Sequence, residues 1–201
     1  MKSINNYISE KLVINRNIKR QYGYIYFPKT KDELLDIIKQ RMENEGFKCD
    51  LNDIDVSKIT NMSGLFYNSK FNGDISEWNV SNVTDMVDMF SYSKFNGDIS
   101  EWNVSNVKNM KNMFRYSKFN QDISEWDVSN VKYMSYMFYS SKFNQDISEW
   151  NVSKVKYMSR MFYSSKFNQN ISKWDISNIE DMTYIFDDSP LEGKEKEWWN
   201  K

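Results

Sequence analysis

Residues 71–94 read FNGDISEWNVSNVTDMVDMFSYSK, and this 24-residue phrase decides the fold. Its opening, FN(G/Q)(D/N)IS(E/K)W(N/D), begins at Phe71, Phe95, Phe119, Phe143 and Phe167, 24 residues apart each time. Trp78, Trp102, Trp126, Trp150 and Trp174 keep the same step. So do Met86, Met110, Met134, Met158 and Met182, and Phe90, Phe114, Phe138, Phe162 and Phe186. A strict period of this length marks a repeat array, in which each unit buries its apolar side only against its neighbours. One step earlier, Phe47, Asp50, Leu51, Ile54, Val56, Ile59, Met62, Leu65 and Phe66 fall in the same columns. One step later, Leu191 falls in the phenylalanine column and Trp198 in the tryptophan column. The expected organisation is an N-terminal cap over residues 1–46, six repeats over 47–190 and a C-terminal half-repeat cap over 191–201.

Within a unit, Asp74 to Trp78 alternates polar and apolar residues, which predicts a short strand. Ser81 is a candidate N-cap. Val83, Met86, Met89 and Phe90 recur at i, i+3, i+6 and i+7, which predicts about two turns of helix. The strands are expected to pair in parallel between units. Ahead of the array, Thr30 and Glu33 form a capping box after Pro28, and Leu34, Leu35, Ile37, Ile38 and Met42 make an apolar face ending at Gly46. A helix over 31–45 follows. Strand character is present at Tyr22 to Phe27 and at Leu12 to Ile14.

The unit resembles the BspA-like branch of the leucine-rich repeats, in particular the mycoplasma lipoprotein-associated repeat, with its pattern close to FNxDISxWxVSNVTxMxxMF. The likeness covers Phe47 to Phe186. It implies an α/β repeat: a right-handed leucine-rich-repeat-like solenoid with one short parallel strand and one short helix per 24-residue unit, closed by an N-terminal α/β cap. It also implies a role in surface-exposed binding or adhesion. Related repeat proteins are encoded by bacteria and by phages of gut bacteria.

Composition narrows the chemistry. The 201 residues are 40% hydrophobic, 27% charged and 16% aromatic, with 27 basic against 28 acidic side chains, and alanine is absent. Histidine is absent too, and Cys49 is the single cysteine. Intrachain disulfides, His/Cys zinc sites, the Ser-His-Asp triad and the Cys-His dyad are thereby excluded. No apolar run reaches the roughly 18–20 residues of a spanning helix. The opening MKSINNYISEKL lacks the apolar region of a secretory signal, so a cytoplasmic location is expected, with the cell surface or a virion as alternatives.

Several columns invite a site and receive a plainer reading. Asp50, Asp74, Asp98, Asp122 and Asp146, with Asn170, suggest turn capping in preference to calcium. Asn72, Asn96, Asn120, Asn144 and Asn168 suggest a buried ladder serving loop backbone. Glu77, Glu101, Glu125 and Glu149 repeat one environment, whereas a catalytic carboxylate pair needs two different ones. The tryptophans are expected in the core, not as a stacking platform. No enzyme activity, metal or cofactor is expected.

The informative positions are those that differ between units. Lys108, Lys111, Arg115, Lys132, Tyr133, Tyr136, Tyr139, Lys156, Tyr157, Arg160 and Tyr163 collect on the expected outward helix faces of the central units. The flanking units carry Asp85, Asp88, Glu180, Asp181, Asp187 and Asp188 there instead. Tyrosine and arginine are enriched at protein interfaces and their hot spots. The expected function is a non-enzymatic protein-binding module, a phage or bacterial factor acting on a host protein with an acidic surface. A surface adhesin for glycan or host matrix is the alternative. Nucleic acid is disfavoured because the basic patch is short and flanked by acid. No membrane insertion is expected.

Overall fold

The computed structural model describes residues 23–199. The strand expected at Leu12 to Ile14 lies outside the described residues. Parallel bridges join Asn61 to Asp85, Asp85 to Asn109, Asn109 to Tyr133, Tyr133 to Tyr157 and Tyr157 to Asp181. The chain therefore returns to the same place, running in the same direction, every 24 residues.

This pairing lies in the segment that the apolar spacing assigns to a helix. Among the described residues, helix occurs only at α1 (Lys31–Glu45) and α2 (Lys194–Trp198). In the second unit the N–H groups of Met86, Asp88, Phe90 and Tyr92 donate to the carbonyls of Asn109, Lys111, Met113 and Arg115, at 2.7–3.0 Å. The intervening residues close tight turns, Met89 N–H to Met86 O and Ser93 N–H to Phe90 O, both at 3.2 Å. Two successive turns repeat an inward side chain at a spacing of three, as a helix does, which is why the pattern is ambiguous. An eight-residue helix cannot recover the cost of its own nucleation, whereas stacking six copies satisfies the same backbone groups between units.

The expected strand at Asp74 to Trp78 is likewise a turn: Trp78 N–H donates to Ile75 O at 3.2 Å, and of this stretch only Asp74 forms a bridge, to Asp50. Nor does Ser81 cap a helix; its N–H and hydroxyl both donate to Asn79 Oδ1.

Each turn needs a left-handed residue in third place. Gly64, Asp88, Asn112, Tyr136, Arg160 and Tyr184 form one such column, and Asn68, Tyr92, Tyr116, Ser140, Ser164 and Asp188 the other, with φ between 49° and 64°. Only one of these twelve is glycine.

The core is a set of ladders between the two turn-rich segments. Phe90, Phe114, Phe138 and Phe162 are fully buried and stack unit on unit with ring centroids 5.6–5.7 Å apart. Phe95, Phe119, Phe143 and Phe167 interleave with them at 4.1–4.4 Å. The tryptophans are inside, at 3–4% exposure, and each indole N–H donates to a carbonyl 27 residues earlier; Trp126 donates to Ile99 O at 3.0 Å. The expectation that they belong to the core is met.

Side-chain ladders complete the junctions. Asp74, Asp98, Asp122 and Asp146 accept the N–H two residues on, and Asn170 does the same without a charge. Turn capping accounts for the column, and no cluster of potential metal ligands occurs among the described residues. The Asn72, Asn96, Asn120 and Asn144 side chains accept from the backbone of the next unit at 2.7–2.8 Å. That ladder runs along the surface, at exposed and half-buried positions, not through the interior as expected. Gly73 is required by close approach: a Cβ there would lie 2.0 Å from Cys49 O.

At the N-terminal end α1 lays Leu34 and Ile38 on the first unit. Thr30 accepts from Glu33 N–H at 3.2 Å, and Gly46 ends the helix at φ 87°. Tyr26, from the stretch expected as a strand, bridges in parallel to Ile54 as an isolated pair, which places that residue against the first unit. Arg41, half-buried, holds Asp53 with two bonds of 2.7 and 2.9 Å and also grips Glu45. Phe47 departs from its column, standing 47% exposed beneath Lys70. At the far end Leu191 takes the phenylalanine position, its N–H bonded to Ser189 Oγ. Trp198 leaves the tryptophan column, because α2 turns it and Trp199 onto Phe186 as a lid.

Candidate functional site

The segment equivalent to residues 84–92 in each unit carries every residue singled out from sequence variability. Its spacing puts Met86, Met89 and Phe90 inward and leaves Thr84, Asp85, Val87 and Asp88 half-buried. The candidates thus share one side of the array, on paired turns instead of helices.

They divide into a basic strip and an aromatic row. Lys108 and Lys132 are exposed, and with Lys154, Asn106 and Asn130 they line a shallow depression. Lys154 donates to Asn130 Oδ1 at 2.8 Å. Lys108, Lys111 and Lys132 form no ion pair among the described residues. Lys156, grouped with them from sequence, is different: its ammonium sits 2.6 Å from Glu180, and the Tyr157 hydroxyl donates to the same carboxylate. These contacts hold Glu180 below the usual carboxylate range and push Lys156 and Tyr157 up. Lys156 is thus paired within the chain, at the surface.

The aromatic row crosses the first five units. Tyr67 meets Tyr92 at 5.8 Å, Tyr92 stacks on Tyr116 at 4.7 Å, Tyr116 meets Tyr139 edge-on at 5.3 Å and Tyr139 stacks on Tyr163 at 5.0 Å. Tyr133 and Tyr157 stack separately, at 5.5 Å and 5°. Arg115 and Arg160 are set among these rings, and Arg160 Nη1 donates to the Tyr136 hydroxyl at 2.8 Å. Hydrogen bonding to Tyr116 pushes the Tyr139 phenol up, and Asp188 does the same to Tyr163.

Tyr67, Tyr92, Tyr116 and Tyr184 are members of this surface that column counting misses. For Tyr92 and Tyr116 the reason is a slip of one position, since they stand one residue later in their units than Tyr139 and Tyr163; Tyr67 and Tyr184 keep the columns of Tyr139 and Tyr136 but lie in the terminal units, outside the central three. Ring stacking ignores that offset. Tyrosines within one residue of these columns, taken over all six units, include all four.

A family model described as "Mycoplasma protein of unknown function, DUF285" matches residues 36–118 and again residues 115–199. The chain belongs to the DUF285 family. The two tandem matches follow from the internal period: each takes in most of α1 or α2 and about three units. No curated protein and no solved structure matches this DUF285 chain.

Proposed function

We propose that this chain is a non-enzymatic protein-binding repeat module of the BspA-like leucine-rich-repeat kind, a right-handed solenoid from a bacterium or phage that acts on a host protein. The partner docks on the surface built from the 84–92 segments. One observation carries the reading. Left-handed corners favour glycine, and a side chain there costs about 1–2 kcal/mol. Yet Tyr92, Tyr116, Tyr136, Arg160 and Tyr184 stand at such corners, with their side chains outward in the aromatic row. Strain accepted at surface positions, and filled with the residue types of interface hot spots, points to binding. The unneutralised Lys108, Lys111 and Lys132 favour an acidic partner and give it electrostatic steering.

The test places a photo-crosslinking residue at Tyr133 and, as comparison, at Glu125 beside the tryptophan column, in the native host. The partner should be captured from position 133, and capture should fall with salt, because exposed charges are screened over about 10 Å at 0.1 M. The double reversal Lys108→Glu, Lys132→Glu should abolish it without moving the thermal midpoint. Equal capture from position 125 would overturn the assignment. Fractionation of the same cells distinguishes a cytoplasmic or virion-associated factor from an envelope adhesin.

A further inference from the structure

Arg115 holds a positive charge that nothing in the described protein neutralises. Its guanidinium carbon lies 5.7, 5.2, 5.8 and 5.3 Å from the ring centroids of Tyr92, Tyr116, Tyr136 and Tyr139. These rings touch one another, so they form a continuous wall: Tyr92 to Tyr116 at 4.7 Å, Tyr116 to Tyr139 at 5.3 Å, Tyr139 to Tyr136 at 5.6 Å. The Nε is buried and has no hydrogen-bond partner. The residue as a whole is half-buried, and its guanidinium forms no ion pair among the described residues.

Arg41 in the same molecule shows what a structural guanidinium looks like here. It takes both oxygens of Asp53, both of Glu45 and the carbonyl of Asp50. Arg115 has the enclosure without the acceptors. Arg160 reinforces the imbalance from the other side of Tyr136, with its guanidinium carbon 5.7 Å from that ring, and it forms no direct ion pair among the described residues. One tyrosine separates two guanidinium groups that form no direct ion pair among the described residues.

We propose that the tyrosine box around Arg115 is the receptor for a carboxylate side chain of the protein partner, resting on the docking surface proposed above. The carboxylate takes the Nη1 and Nη2 hydrogens fork to fork, a geometry that arginine offers and lysine does not. The aromatic walls exclude water and strengthen that pair. Arg160 supplies a second positive pole for a neighbouring acid. A polymer with evenly spaced charge fits poorly, because Asp88 on one flank and Asp187 and Asp188 on the other repel it. An acidic peptide segment, with two carboxylates set over the two arginines, fits.

The experiment titrates the full chain with a blocked hexaglutamate peptide, with hexaglutamine and inorganic phosphate as controls, and follows the arginine Nε–H signals by NMR. The Arg115 signal should shift saturably with hexaglutamate and stay still with hexaglutamine. Arg115→Lys should weaken the peptide about tenfold or more while leaving the melting midpoint in place, as an anchoring arginine demands. Phosphate shifting Arg115 with equal affinity would overturn the carboxylate assignment. Shifts confined to the lysine strip would overturn the box and leave the docking surface standing. A native partner that crosslinks from position 133 and ignores Arg115→Lys would also overturn the box. Capture from position 125 would remove the docking surface whatever the peptide does.

Discussion

Replacing Trp126 by phenylalanine tests the junction between units at a single ring. Trp126 is 3% exposed, its indole donates to Ile99 O at 3.0 Å, and its ring lies 6.4 Å from that of Phe114. Phenylalanine keeps a six-membered ring and gives up the N–H and about two buried carbons, worth about 0.8 kcal/mol each. The Ile99 carbonyl is not orphaned, because it still accepts from Trp102 N–H at 3.2 Å. The hydrogen bond itself is therefore worth the ordinary ~0.5–1.5 kcal/mol and not the full cost of a stranded acceptor. Together the loss is about 2–3 kcal/mol, or a fall of roughly 5–10 °C in the melting midpoint for a chain of this size. Urea unfolding followed by circular dichroism, with Glu125→Gln as the exposed neighbour, measures it. The neighbour should stay within about 0.5 kcal/mol. A Trp126→Phe loss no larger than that of Glu125→Gln would refute the reasoning, since the ring would then not join the units.

Ser140 and Ser164 occupy left-handed corners at φ 49° and 54°. Ser140→Gly should stabilise by about 0.5 kcal/mol and Ser140→Val should destabilise by more than that, both read from the thermal midpoint. Arg41→Met strands Asp53, whose side chain is 10% exposed, and should cost about 3–5 kcal/mol in chemical denaturation, whereas removing both partners together should cost much less. Backbone and hydroxyl donors from the serine two residues on hold Asp74, Asp98 and Asp146 below the usual carboxylate range. The unfolded chain then binds more protons than the folded one as the medium is acidified. Stability should be level above about pH 4 and fall as pH drops through the folded values. Asp98→Asn with Asp146→Asn, copying Asn170, should flatten that fall in an acid titration followed by circular dichroism.

The 24-residue step, the buried apolar columns and the helix over 31–45 are all legible in the residues. Each rests on information local to one unit: an apolar side chain recurring at a fixed interval, or Thr30 and Glu33 three residues apart before an apolar stripe. The candidate surface was legible in part, because Lys108, Lys132, Tyr133 and Tyr139 are visible as departures from otherwise constant columns.

Three features belong to the tertiary structure alone. A spacing of three between inward residues is common to a helix and to consecutive tight turns, so whether Asp88 N–H turns back along its own segment or reaches Lys111 is decided by the neighbouring unit. Whether a lysine is available or spent depends on what stands beside it one unit later, as Glu180 does for Lys156. And a tyrosine row that slips one residue between units is continuous only in space, because rings meet by distance and not by position in the chain. Sequence determined which residues repeat and which apolar columns of the central units are buried. Contacts 24 residues apart decided where the backbone hydrogen bonds run and which charges on the surface remain unpaired.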